Sequence, residues 1–152
     1  MDVNQIQEEF LRTASRFGKM RYDVLFHDMS KREFEMLTVI YRYMEENAEE
    51  KGIYVSKLAN MLRVTSPAVS RMIGILEEKG YIGRDVDKED RRNTYVYLTD
   101  AGRRIRKVTE DTMQELMKKV VVRMGNEDMQ ELILLWNRLA DIMEEEMKRK
   151  NV

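Results

Sequence analysis

Apolar residues in this chain recur mostly at helical spacing, and one stretch alternates instead. Val3, Phe10, Phe17 and Val24 return every seven residues, with Ile6 and Met20 on the adjoining line. That spacing predicts one apolar seam on a long helix, interrupted by Gly18. Ser30 and Glu33 form a capping box, after which Phe34, Leu37, Ile40, Tyr41 and Met44 give the buried stripe of a second helix ending near Asn47. A brief extended stretch at Ile53 to Val55 leads to a short third helix, capped by Ser56 and carrying Leu58, Ala59, Met61 and Leu62. The turn RVT follows. Ser66 caps a fourth helix with Pro67 in its first position, where a missing N–H is no loss, and Gly80 closes it.

The alternating stretch is KEDRRNTYVYLT, residues 88–99. Its first half, taken alone, is a solvated charge run. Its second half predicts a strand with Val96 and Leu98 facing a core and Tyr95 and Tyr97 on the opposite face. Paired with YIGRDVD, it makes a β-hairpin with a charged tip. Thr99 then precedes a long helix through about Met124, and Asn126, after Gly125, caps a last helix aligning Met129, Leu132, Ile133, Trp136, Leu139, Met143 and Met147. The first helix and the last two carry more apolar face than a domain of roughly 100 residues needs. A self-contained bundle would leave much of that face in water; a symmetric dimer with interlocked N- and C-terminal helices would cover it.

The fourth helix carries the most informative surface. At about 100° per residue, Val69, Met72, Ile73 and Leu76 share a core-facing arc, while Pro67, Ser70, Arg71, Gly74 and Glu78 lie opposite. Small residues, a hydroxyl and a guanidinium on one face suit entry into a DNA major groove, where arginine can donate twice to guanine. An ordinary solvated helix face would look similar by itself. The preceding short helix and turn complete a helix-turn-helix, and the hairpin after it reads as a wing.

Composition sharpens this picture by exclusion. The chain has 152 residues and no cysteine, which removes disulfides, thiolate metal sites and cysteine nucleophiles. Its single histidine, His27, leaves little for metal or Ser-His-Asp chemistry. A carboxylate-only site stays open, but no convincing constellation points to an enzyme. No apolar run approaches the roughly 20 residues of a membrane span, so a cytoplasmic location without membrane contact is expected. The net charge of −1 is unevenly spread: residues 56–107 hold 12 Lys/Arg against 7 Asp/Glu, a balance of +5, and the rest hold 15 against 21, or −6. The helix-turn-helix and hairpin are the electropositive part.

The string SPAVSRMIGILEEKGYIGR, followed by DKEDRRNTYVYLTDAG, resembles the DNA-binding region of the MarR family of bacterial transcriptional regulators. The resemblance rests on the acidic residue and arginines of the wing (Asp90, Arg91, Arg92) and on Leu98, Thr99 and Gly102 after it. The flanking long helices are similar to that family's dimerisation region.

The resemblance implies a mainly α fold with a small β-hairpin wing (α+β), forming a single MarR-like domain over 1–152. Residues 30–99 would be the winged helix-turn-helix lobe, with dimerisation helices in 1–29 and 100–152. It implies a homodimer on double-stranded DNA, with recognition helices in successive major grooves of a pseudo-palindromic operator about one helical turn apart. Carried over by position, the recognition-helix contacts are Ser66, Pro67, Ala68, Ser70 and Arg71, supported by Arg63 and Thr65. The wing contacts are Arg91 and Arg92, with Asp90 as structural partner; Arg91 is the better candidate for pairing with it, and Arg92 for the minor groove. A repressor role, with release by a small aromatic or anionic effector and no cofactor, completes the expectation.

No effector residues are assigned. His27, Arg16, Tyr22 and Tyr41 lie near the family's cleft, yet each reads as packing or surface, His27 as a partly buried interface residue. The competing function is a winged-helix protein-interaction module without operator binding, for which exposed aromatics on the fourth helix would be expected.

Overall fold

A computed structural model describes residues 1–87 and 93–150. The chain forms two compact units, Met1–Thr109 and Glu110–Val152.

In the first unit, α1 (Val3–Gly18) opens on a capping box that the apolar pattern did not signal: the Asp2 carboxylate accepts from the Gln5 N–H at 2.9 Å, and Gln5 Oε1 from the Asp2 N–H at 3.0 Å. None of its side chains is buried. The expected seam does not stay on one helix. α1 stops at Gly18, the Lys19 N–H turns back to the Ser15 and Arg16 carbonyls, and a short 3-10 turn, Tyr22–Leu25, carries Val24 separately. Glycine's backbone entropy cost weakens the helix at that point, and the Arg21–Asp23 pair, 2.8 Å apart, favours the local turn that follows. His27 lies off the helix, at φ 48° in the turn between buried Phe26 and Met29, and is exposed in the single chain.

α2 (Lys31–Glu46) begins on the expected capping box, with the Glu33 N–H donating to Ser30 Oγ at 3.3 Å and the Ser30 N–H to the Glu33 carboxylate. It ends at Asn47, whose amide donates to the Tyr43 carbonyl at 2.8 Å. Two residues of β1 (Ile53–Tyr54) then pair with the later strand β3, and α3 (Val55–Leu62) starts at once. Its N-cap is therefore Tyr54 and not the expected Ser56, because the ladder ends at Tyr54 and releases Val55 to turn. α4 (Ser66–Glu78) is shifted by one residue in the same sense. Thr65 is the N-cap, since its carbonyl already accepts from the Val69 N–H at 3.1 Å, which puts Pro67 in the second position.

β2 (Ile82–Val86) and β3 (Thr94–Leu98) form the hairpin, in register from Ile82 opposite Leu98 to Val86 opposite Thr94. The antiparallel sheet has the order β1-β3-β2. Its inner face and α2, α3 and α4 enclose the core of Met36, Leu37, Ile40, Ile53, Leu58, Val69, Ile73, Leu76, Ile82, Val96 and Leu98. Each large side chain buried there stabilises the lobe by roughly 1.5–3 kcal/mol relative to exposure.

α5 (Asp100–Met124) starts where Thr99 Oγ1 accepts from the Gly102 N–H at 3.0 Å and donates to the Gly80 carbonyl at 2.6 Å. Gly102 is required there: a Cβ would lie 1.9 Å from the Tyr81 carbonyl oxygen. In the second unit α6 (Asn126–Lys150) follows Gly125, which takes φ 90° and ends α5, so Asn126 is the first helical residue and not a cap. No described side chain of that unit is buried; Leu134 is 65% exposed and Trp136 55%.

Candidate nucleic-acid interface

The surface is built around how α3 turns into α4. Arg63 closes α3 in the left-handed region at φ 53°, with its N–H on the Asn60 carbonyl at 3.2 Å and that of Val64 on Ala59 at 3.2 Å. A non-glycine residue pays about 1–2 kcal/mol for this conformation, and in return the chain reverses within RVT. α4 then buries Val69, Ile73 and Leu76 to 0%, 2% and 0% exposure.

Arg63, Thr65, Ser66, Pro67, Ala68, Ser70 and Arg71 are all exposed, and the structure gathers them onto the turn and first turns of α4. Gly74 continues that face, and a Cβ there would meet nothing within 4 Å. No side chain caps the α4 N-terminus, so its first N–H groups and partial positive charge remain available to an anion.

The other end of α4 is anchored. Gly80 takes φ 71°, and the Tyr81 N–H reaches back to the Leu76 carbonyl at 2.9 Å. Lys79 Nζ donates to the Glu33 carboxylate at 2.8 Å and to the Asp28 carbonyl at 2.7 Å, so one ammonium ties the end of α4 to the start of α2. Burial pushes the Glu33 carboxyl upward, but the hydrogen bonds from Lys79 and from the Ser30 backbone and hydroxyl outweigh it. The group is held below its ordinary value, charged and fully engaged.

The wing is braced at its base. The Asp87 N–H donates to the Asn93 carbonyl at 2.9 Å, and the Tyr54 hydroxyl reaches from β1 to the Asp87 carboxylate. Val96 and Leu98 point inward, at 0% and 4% exposure, as their alternation requires. Gly83 leaves room for Tyr97, whose ring a Cβ would approach to 2.5 Å. Asp90, Arg91 and Arg92 lie outside the described residues.

Sequence reasoning missed a cleft beside α4. Tyr54, Val55, Ser56, Ser70, Ile73, Arg84, Asn93 and Thr94 line a space of about 290 Å³ between the start of α3, the outer side of α4 and the base of the wing. Arg84 Nε bonds to the Glu77 carboxylate of α4 at 3.2 Å. The signal was present: counting by two from buried Ile82 puts Arg84 on the helix-facing side of β2.

Of the residues considered for an effector, Tyr41 is covered by the Arg106 guanidinium, 3.8 Å from the ring centroid, and Arg106 is itself 4% exposed. Tyr22 donates to Met20 Sδ at 3.3 Å, and Arg16 is exposed in the last turn of α1. Among the described residues no three His, Asp or Glu side chains could hold a metal, and no helix is long and apolar enough to cross a membrane.

Comparison with known proteins agrees with this geometry. Residues 29–94 match the model of the MarR family. YdgJ of Bacillus subtilis, described as an uncharacterized HTH-type transcriptional regulator, is 32% identical over 113 residues, which cover 74% of this chain and 65% of that protein. The match thus spans just under two thirds of that relative's length. Among solved structures, YusO of Bacillus subtilis superposes with a TM-score of 0.72 at 18% identity, over 93% of this chain and 99% of that one. A variant of S. aureus MepR bound to an oligodeoxyribonucleotide gives 0.64 at 21%, over 90% and 97%. At such identities the likeness is one of fold, and that fold is the winged helix built above. Residues 29–94, which hold α2, the whole helix-turn-helix, β2 and the first residue of β3, thus carry the match to the MarR family, and the relatives similar over this region are described as transcriptional regulators.

Proposed function

We propose that this protein is a sequence-specific DNA-binding transcriptional regulator, a cytoplasmic homodimeric repressor released from its operator by a small aromatic or anionic effector. The observation that carries the reading is the outer face of α4. Over its first two turns it presents Ser66, Pro67, Ala68, Ser70 and Arg71 to solvent without a bulky apolar side chain, on a helix whose opposite side is locked into the core. A helix so placed can approach base edges closely, and Arg71 can donate bidentately to guanine. Arg63 and Thr65 would steady it against phosphates. The S. aureus MepR variant of similar fold is bound to an oligodeoxyribonucleotide, which supports the same use here.

The apolar faces that one copy leaves in water, on α1 and α6, support the homodimer, in which residues 1–29 and 100–152 would supply the dimerisation helices and residues 30–99 the DNA-binding lobe. Arg92 would enter a minor groove beside the operator while Asp90 and Arg91 stiffen the wing. An effector would act by favouring a spacing of the two lobes that misfits the half-sites. With no cysteine in the chain, a thiol switch is excluded.

Fluorescence anisotropy with operator and scrambled duplexes over a range of salt tests this. Arg71→Ala is expected to cost about 1–3 kcal/mol at its preferred base. Arg92→Ala is expected to weaken both duplexes evenly and to flatten the salt dependence. Operator binding unchanged in both variants would remove the assignment, and capture of a protein partner in place of DNA would favour the interaction-module reading.

A further inference from the structure

The cleft at the base of the wing has the chemistry of an anion site. Ser56, Ser70 and Thr94 bring hydroxyls to it from α3, α4 and β3, Asn93 brings an amide, and Arg84 brings a guanidinium from β2. The N-terminus of α3 opens onto the same space through Tyr54, Val55 and Ser56, and the N-cap side chain makes no hydrogen bond to it. A guanidinium and several hydroxyl-bearing residues lining one polar cleft beside a helix N-terminus favour a tetrahedral oxyanion.

Arg84 is held ready for such a group. Its bond to Glu77 runs through Nε, and its side chain is 56% exposed, so the pair is a weak surface one. A phosphate can engage the guanidinium in a two-point contact stronger than the single contact to Glu77. The position favours DNA over a free metabolite: Ser70, on the outer face of α4, is one wall of the cleft, so a duplex seated on that face would carry its backbone past the opening.

We propose that this cleft seats one DNA backbone phosphate, with Arg84 supplying the charge, Ser56, Ser70 and Thr94 the hydroxyl donors, and Glu77 holding Arg84 at the opening until DNA arrives. This rests on the reading of α4 as a recognition helix and adds a contact that carries no sequence information.

The test is salt-dependent binding of the full-length protein to operator and scrambled duplexes. Arg84→Gln is expected to weaken both by the same factor, roughly tenfold. It should also lower the slope of log affinity against log salt by about 0.9, the share of one phosphate in duplex DNA. Arg84→Lys keeps the charge and should retain the slope. In operators bearing single neutral methylphosphonates, one position per half-site should weaken wild-type protein and leave Arg84→Gln indifferent; this arm reads the native protein, so misfolding of a variant cannot mimic it. Wild-type binding with the same affinity and slope in Arg84→Gln, and no such position, would overturn the phosphate seat while leaving the DNA-binding reading intact. Failure of wild-type protein to bind any duplex would overturn both.

Discussion

α4 and α6 are both amphipathic helices, and they place their apolar sides in opposite surroundings. In α4, Val69, Ile73 and Leu76 are sealed in the core, and over its first two turns what faces water is small, hydroxylated or cationic. In α6 no described side chain is buried, and Ile133, Trp136 and Met147 are each more than half exposed. α1 resembles α6, with Val3 79% exposed and Phe10 and Phe17 at 45%. The lobe around α4 is therefore finished within one chain and exposes a surface fit for a polar polymer. The long helices, in a single chain, leave large apolar side chains in water.

The largest effect that could break this contrast lies in α6. Ile133→Asp is expected to destabilise a dimer by more than about 3 kcal/mol for each carboxylate placed in the interface. Equilibrium sedimentation should show the proposed wild-type dimer reduced to a monomer in the variant, and an unchanged mass would separate α6 from association.

In the lobe, Leu76→Ala should lower folding stability by about 2–5 kcal/mol, read by urea unfolding. A much smaller loss would mean that the α4 core relaxes into the space left behind.

A finer probe is Glu33→Gln, which removes the carboxylate that anchors Lys79 and is expected to cost roughly 1.5–3 kcal/mol near neutral pH. The folded Glu33 carboxyl lies below its ordinary value of 4.5, so its contribution is fully present above that pH and is lost as pH falls through the folded value. The wild-type advantage over the variant should shrink in acid accordingly, and a pH-independent difference would place the effect elsewhere. Smallest is Thr99→Ala, which removes the α5 cap and should cost about 1 kcal/mol in thermal unfolding.

The contrast between the two helices was visible as periodicity, because a core-facing arc and a polar arc leave different residue sets at helical spacing. The α2 capping box and the inward Val96 and Leu98 were legible for the same reason: each depends on residues within a few positions of one another. The starts of α3 and α4 moved by two residues and by one because their first turns are set by hydrogen bonds, the end of the β1 ladder in one case and the Thr65 carbonyl in the other. The break after Gly18 was marked by the glycine, but periodicity carried the seam past it to Val24.

Alternation along β2 could place Arg84 on the helix-facing side, but its pairing with Glu77 and the Lys79 anchor were beyond pattern reading. Each joins residues from separate elements, Arg84 with Glu77 and Lys79 with Glu33 and Asp28, and pairing across elements leaves no periodic trace. Gly102 shows the intermediate case: its place after Leu98 and Thr99 was noted as part of a motif, and the structure supplies its cause in the carbonyl of Tyr81.

The most direct measurement is selection of genomic fragments from the source organism by the purified full-length protein, in parallel with Arg71→Ala. The expected result is one enriched pseudo-palindromic site with half-sites about one helical turn, roughly 10 base pairs, apart, and loss of that enrichment in the variant. No enriched site with the wild type, or the same site equally enriched by Arg71→Ala, would contradict the assignment of α4 as the helix that reads DNA.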